Sequence, residues 1–329
     1  MNVLIIRSEM SVKPSRRCRF LLFVGLTIVL AFQSAISGQS IRCDEETENV
    51  EKIQRIDEDI KSAPNNADFY VDRGWRLFYA GKYQSAVTDA ETAIKLDPGS
   101  ASAYYLSGIL YDHRSAWAWA VVQYSHAIKI SPNVASYYYS RGRVRRARGE
   151  SLAAIEDLSK AIELNPENAD AYFVRGAEYR ARGDSKKARF DLDSALEILF
   201  RRMEKTNNKL CLSIIFQTRS FVFSAEGNES QAIDDHNQSV DLAPDFYEPY
   251  FFRGEYYLNL KQYENAIIDL SKSIELDPSH GLSYLLRSRA YDALKKKDLA
   301  DADRAVVEKL SGVKAQIPAS IQPTNNTKP

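Results

Sequence analysis

A 34-residue period constrains the fold of this 329-residue chain more than any other feature of its sequence. The clearest copy spans 247–280 and reads YEPYFFRGEYYLNLKQYENAIIDLSKSIELDPSH. Small and apolar residues recur at helical spacing over 248–260 and again over 264–276, and the second stretch ends before Pro278, which cannot continue a helix. The pattern predicts two helices joined by a short turn. One such hairpin cannot bury its own apolar face, so it needs neighbouring copies.

Six further copies keep the same register, so that the frames are 67–100, 101–134, 135–168, 169–202, 213–246, 247–280 and 281–314. The first helix of each frame carries an aromatic residue, namely Tyr70, Tyr104, Tyr138, Tyr172, Phe216, Tyr250 and Tyr284. Four positions later stands a small residue, namely Gly74, Gly108, Gly142, Gly176, Ser220, Gly254 and Ser288. The second helix carries an invariant alanine, namely Ala86, Ala120, Ala154, Ala188, Ala232, Ala266 and Ala300. Small residues at these positions allow two helices to approach closely.

This pattern resembles the tetratricopeptide repeat family over most of the chain. The resemblance implies an all-α solenoid of seven helix-turn-helix repeats in a right-handed superhelix. It also implies that the chain binds other proteins, often through extended peptides in a concave groove. Frame seven departs most from the pattern, with Arg304 where a large apolar residue is usual. We interpret it as a degenerate terminal repeat with a polar outer face, which solenoids need for solubility.

The N-terminal 38 residues have the order of a signal peptide. Basic residues from Lys13 to Arg19 precede the uncharged run 20–32, and the small residues Ala35 and Ser37 follow it. The apolar run is shorter than the roughly 20 residues that span a bilayer. We therefore expect a cleaved secretory signal, with an uncleaved membrane anchor through 20–32 as the alternative.

The remaining segments flank or interrupt the repeats. Residues 39–66 are interpreted as a linker and a capping half-repeat that covers the open face of frame one. The polar segment 203–212 is predicted to be an inserted loop after a lengthened second helix in frame four. The proline-containing tail 315–329 is predicted to be disordered.

The composition gives no sign of catalysis or of a cofactor. With 44 basic and 44 acidic residues, the formal net charge of zero gives no reason to expect nucleic acid as a partner. The four histidines stand apart from other metal-ligating residues, so we predict neither a metal site nor a cofactor site. His236 takes the place of a packing residue and is interpreted as a core histidine. No catalytic motif occurs, and the chain is predicted not to be an enzyme.

A second regularity pairs an arginine of the first helix with an aspartate of the second. Arginine precedes the small residue at Arg73, Arg141, Arg175, Arg219, Arg253 and Arg287, and aspartate follows the invariant alanine at Asp89, Asp157, Asp191, Asp235, Asp269 and Asp303. Frame two lacks both members, having Ser107 and Gln123. The joint loss favours a salt bridge inside each repeat over a charged binding ladder.

Groove residues follow from the resemblance. In this family, the residue after the first aromatic and those four and seven positions further on face the concave groove. They include the predicted peptide-binding residues Tyr105, Tyr139, Arg143, Arg146, Phe173, Arg180 and Phe251. Aromatic residues and arginine are enriched at binding hot spots. We therefore expect an extended peptide with apolar side chains and an acidic group; the alternative is that these aromatics only contact the neighbouring repeat.

These observations predict a non-enzymatic scaffold or assembly factor that binds peptide segments outside the cytoplasm, in a periplasm, a secretory lumen or the medium. Two alternatives remain open at this point. One is a co-chaperone-like holdase of the same compartment. The other is a structural subunit of an envelope complex, anchored in the membrane if the N-terminal segment is not cleaved.

Overall fold

The computed structural model of the protein describes residues 43–202 and 209–311. The predicted signal peptide (1–38), part of the predicted insertion and the predicted tail (315–329) lie outside these residues. Fifteen α-helices form the described part, and the all-α prediction is confirmed. They are α1 Cys43–Ser62, α2 Ala67–Tyr79, α3 Tyr83–Leu96, α4 Ala101–His113, α5 Trp117–Ile130, α6 Ala135–Ala147, α7 Ser151–Leu164, α8 Ala169–Ala181, α9 Ser185–Arg202, α10 Lys209–Ala225, α11 Glu229–Leu242, α12 Tyr247–Asn259, α13 Tyr263–Leu276, α14 Gly281–Ala293 and α15 Lys297–Ser311.

From α2 onward the helices pair into seven hairpins, each with a first (A) and a second (B) helix. The turn between them is illustrated by repeat 1. The Lys82 N–H donates to the Leu77 carbonyl at 2.8 Å and the Gly81 N–H to the Phe78 carbonyl at 3.0 Å, the two bonds of a Schellman motif. Gly81 has φ +72°, a left-handed conformation that glycine adopts without strain. This motif ends the A helix and reverses the chain.

Inside each hairpin a small residue faces a large one. The invariant alanines of the B helices are completely buried in all seven repeats. An added Cβ at Gly108 would lie 2.5 Å from the ring of Tyr124, and at Gly254 it would lie 2.9 Å from Leu270. Glycine at this position therefore lets the B-helix side chain sit against the A-helix backbone. This close contact explains the small residue that recurs in every frame.

The chain divides into two compact units, residues 1–206 and 207–329. The described part of the N-terminal unit contains α1–α9, and that of the C-terminal unit contains α10–α15. Within each unit, successive A helices contact one another, whereas successive B helices make no comparable contact among the described residues. The A helices therefore line the inner face of each unit.

Helix α1 packs on α2 and covers the end of the N-terminal unit. Its Ile53 packs against a core cluster that includes Leu77 and Leu106. The Asn49 side-chain amide donates to the Arg76 carbonyl at 3.3 Å. Helix α1 thus takes the place that a B helix would occupy in a preceding repeat.

One boundary differs from the sequence prediction. Residues 209–212 were assigned to the inserted loop, but α10 begins at Lys209 and includes them. The reason is apolar burial: Leu212 is completely buried and continues the buried face of Ile214 and Ile215. At the other side of the segment, α9 extends to Arg202, which agrees with the lengthened second helix predicted for frame four. No helix in the described ranges is long and apolar enough to cross a membrane.

Candidate functional site

The arginine and aspartate series forms the predicted salt bridges. In six repeats the arginine donates from Nε to one carboxylate oxygen and from Nη2 to the other, at 2.7–2.9 Å. The six aspartates are buried. Burial raises the pKa of Asp191, and Arg175 opposes that rise. Each pair therefore joins the two helices of its own repeat, and the prediction of a structural salt bridge is confirmed.

The structure adds two contacts that the sequence analysis missed. The third guanidinium nitrogen of the arginine reaches back to the preceding helix, where Arg73 donates to Asp57 at 2.7 Å, Arg141 to Ser125 at 3.0 Å and Arg253 to Asn237 at 2.8 Å. Every one of the six guanidinium groups also lies over the aromatic ring three residues earlier, 5.3–6.0 Å from its centroid. One arginine thus connects three helices. In all three contacts the partner stands 16 residues before the arginine, so this fixed spacing in the sequence could have predicted them.

Two predicted groove arginines already have acidic partners. Arg143 on α6 pairs with Asp112 on α4. Arg146 on α6 donates from Nε to an oxygen of Glu178 on α8 at 2.7 Å. Burial raises the pKa of Asp112, and Arg143 opposes that rise. These ion pairs connect successive A helices along the inner face of the N-terminal unit.

The other predicted groove residues differ in accessibility. Phe173 is 2% exposed and Phe251 is 6% exposed, so both pack inside the repeats. Tyr105 and Tyr139 are partly buried. Arg180 is partly buried too, and burial together with the nearby Arg146 lowers its pKa to about 10. Phe173 and Phe251 therefore lie in the core, whereas Tyr139 and Arg180 stay partly exposed and Tyr105 packs between repeats 2 and 3, with its ring 4.8 Å from that of Tyr137.

An aromatic patch on repeats 1 and 2 was not singled out from the sequence. It consists of Trp75, Phe78, Tyr79, Tyr83, Tyr105 and His113. Trp75 connects the two repeats, with ring centroids 6.1 Å from Tyr79 and 5.7 Å from Tyr105. The His113 ring lies 4.0 Å from that of Tyr83, also across the two repeats. Trp75 and Phe78 occupy groove positions, but Tyr83 and His113 lie at helix ends, outside the repeating groove register.

Family comparisons agree with this architecture. Models described as tetratricopeptide repeat match residues 71–135 and 247–280, and a model described as TPR repeat matches 142–183. The chain is a tetratricopeptide repeat protein. Tetratricopeptide repeats typically form non-enzymatic scaffolds, and this one is a protein–protein interaction scaffold.

Solved structures with the same fold share little sequence with this repeat protein. A tetratricopeptide repeat protein from Parabacteroides merdae is 19% identical, with a TM-score of 0.59, over 74% of this chain and 93% of that one. The APC/C hetero-tetramer Cut9-Hcn1 is also 19% identical, with a TM-score of 0.59, over 82% of this chain and 55% of that one. At this identity the likeness shows the fold alone.

A curated relative is the UDP-N-acetylglucosamine–peptide N-acetylglucosaminyltransferase of Giardia intestinalis. It is 34% identical over 59 residues, which is 18% of this chain and 4% of that protein. The repeat protein thus spans a small part of the length of the curated relative that it matches. The match lies in a short segment and carries no activity to this chain.

The C-terminal unit of the repeat protein contains a buried histidine, as the sequence predicted. His236 is 1% exposed, and its ring lies 5.0 Å from that of Tyr256 and 6.0 Å from that of Phe221. Among the described residues, neither ring nitrogen has a hydrogen-bond partner. Burial, with a smaller effect of Arg253, lowers the pKa of His236 to about 3. The imidazole is therefore neutral in the folded protein at physiological pH.

Among the described residues there is no cluster of metal-ligating side chains that could hold an ion.

Proposed function

We propose that the inner face of the N-terminal unit binds an extended segment of a partner protein. The observation that carries this proposal is the aromatic patch on repeats 1 and 2. Tyr79 is 69% exposed although its ring stacks on Trp75. A large ring held in one orientation but left open to solvent is suited to contact with an apolar side chain.

The arginines of repeats 3 and 4, further along the chain of the same unit, favour an acidic group on the partner. Arg143, Arg146 and Arg180 bring three guanidinium groups to this part of the face, where Arg143 lies against Asp112 and Arg146 against Glu178. The low pKa of Arg180, about 10, reflects burial and the repulsion of Arg146. A carboxylate on the partner would relieve that repulsion. The partner segment is therefore expected to combine an apolar anchor with an acidic side chain.

The test compares two matched pairs of variants in partner capture from source cells, followed by mass spectrometry. Tyr79→Ala removes the open ring of the patch, and Phe190→Ala removes a side chain of similar exposure, 66%, from helix α9. Arg180→Gln removes one of the three arginine charges of this face, and Arg182→Gln removes an exposed charge at the end of α8. Tyr79→Ala and Arg180→Gln should lose partners that both controls retain. Retention of every partner by all four folded variants would place the binding site elsewhere.

We also propose that the protein acts outside the cytoplasm. The support is the sequence order of basic residues, uncharged run and small residues within 1–38. N-terminal sequencing of the protein purified from its source should find a mature chain that begins near residue 38. A protein that retains the uncharged run 20–32 and stays with the membrane fraction would instead support the anchored alternative.

A further inference from the structure

The inner face of the C-terminal unit carries two opposite charges that do not meet. Glu255 on α12 and Arg289 on α14 occupy the same groove position in repeats 6 and 7. Both side chains are partly buried. Among the described residues, neither makes a hydrogen bond to another side chain, and they do not form an ion pair with each other or with any other residue. Two ionisable groups are thus partly withdrawn from water, and only their longer-range attraction for each other compensates.

Arg289 has an apolar residue at the place where the equivalent Arg143 has an acidic partner. In the N-terminal unit, the corresponding Arg143 meets Asp112, which lies three residues beyond the groove position of the preceding A helix. In the C-terminal unit that place is taken by Leu258. The carboxylate that remains available, Glu255, lies about one helical turn earlier. An apolar residue therefore stands where an ion-pair partner would be.

The surroundings of Glu255 and Arg289 disfavour the charged form of both side chains. Burial raises its pKa to about 7, and Arg289 opposes that rise. Burial lowers the pKa of Arg289, and Glu255 opposes that fall. Phe221, at the same groove position of repeat 5, is apolar, and its ring centroid lies 5.7 Å from that of Phe252. A ligand that supplied both missing charges would stabilise both groups.

We propose that this face is a second binding site, which takes an extended protein segment with a basic side chain against Glu255 and an acidic side chain against Arg289. Successive packed helices lie about 8–10 Å apart, and an extended chain rises about 3.3 Å per residue, so the two side chains would be about three residues apart. The site lies in the C-terminal unit and does not depend on the aromatic patch. It differs from the N-terminal face in requiring a basic group.

The experiment selects a display library of random short peptides on the full chain and, in parallel, on Glu255→Gln. Glu264→Gln is the matched control, because it removes an exposed carboxylate from α13. Peptides enriched on the wild type and on the control should carry a basic and an acidic residue about three positions apart. Their binding should weaken about tenfold or more on Glu255→Gln and on Arg289→Gln. Tyr79→Ala should leave this binding unchanged, which separates the site from the one proposed above.

A pH titration provides a second readout. Because the pKa of Glu255 is about 7, roughly one molecule in ten carries its charge at pH 6, so binding should be about tenfold weaker there than at pH 8. Glutamine at 255 should remove this dependence. The proposal is overturned if no selected peptide distinguishes the wild type from Glu255→Gln, or if the peptides that do so lack a basic residue. Circular dichroism of each variant verifies that the helices remain folded.

Discussion

One groove position has different surroundings in the two units, as Arg143 and Arg289 show. In the N-terminal unit, Arg143 and Arg146 each meet an acid on a neighbouring A helix. In the described part of the C-terminal unit, Glu255 and Arg289 are both partly buried without an ion-pair partner, and His236 lies among aromatic rings without a hydrogen bond. The repeat register thus fixes where a side chain lies, while one residue on the next helix decides whether its charge is satisfied.

The largest loss of stability is expected at an aspartate that pairs with two arginines. Asp157 in the N-terminal unit accepts from Arg141 and also from Arg145 at 2.9 Å, whereas the equivalent Asp269 in the C-terminal unit is paired with Arg253. Removing one partner of a buried ion pair costs about 3–5 kcal/mol. Asp157→Ala should therefore lower the free energy of unfolding by about that amount, and by more than Asp269→Ala. Urea denaturation of the two variants gives the comparison, and equal losses would show that Arg145 contributes nothing.

The next largest change in stability is expected at His236, whose ring nitrogens have no hydrogen-bond partner among the described residues. Its pKa is about 3 in the folded protein and close to 6.5 when unfolded, so the unfolded chain binds the proton as the pH falls below about 6.5. Stability from the neutral imidazole is therefore present above that pH and decreases towards pH 4. His236→Leu places the residue found at the equivalent Leu158, Leu192 and Leu270. It should raise the melting temperature at pH 5 more than at pH 8.

The size of that gain follows from the cost of an unsatisfied buried polar group, about 1–3 kcal/mol. His126→Leu serves as the control, because His126 is exposed on α5 and stacks on Tyr104. Thermal unfolding followed by circular dichroism at several pH values measures both variants. A melting temperature with the same pH dependence in His236→Leu and in the wild type would contradict the assignment.

The smallest change in stability is expected when the Arg143–Asp112 pair of the N-terminal unit is reproduced in the C-terminal unit. Leu258→Asp places a carboxylate where Asp112 stands relative to Arg143. The new pair is partly exposed, so the gain or loss in the free energy of unfolding should stay within about 1 kcal/mol. The pKa of Glu255, measured by NMR, is the sharper readout. It should rise from about 7, because a second carboxylate repels the charged form and competes for Arg289. An unchanged pKa would contradict this account of the site.

The sequence alone was enough to predict contacts between the two helices of one repeat. Arg253 and Asp269 could be paired in advance because both lie at equal distances from their turn, and Gly254 and Ala266 marked the close contact of the same helices. Phe173 could not be assigned as a core residue, because its direction follows from the register but its burial depends on how far the next repeat covers it. The Arg146–Glu178 pair and the Tyr83–His113 stack depend on the offset between repeats, which one sequence does not specify.

Within the N-terminal unit, the joint between repeats 1 and 2 is held by different contacts from the two joints that follow it. Repeat 2 lacks the arginine that elsewhere holds three helices at once, having Ser107 in its place. The rings of the aromatic patch, Trp75 on Tyr105 and Tyr83 on His113, bridge this joint instead. Bidentate ion pairs fix an orientation, whereas apolar contact is non-directional and tolerates sliding. The rings at this joint can therefore adjust their packing more readily than ion pairs of fixed geometry, and the same rings form the surface proposed to hold the partner.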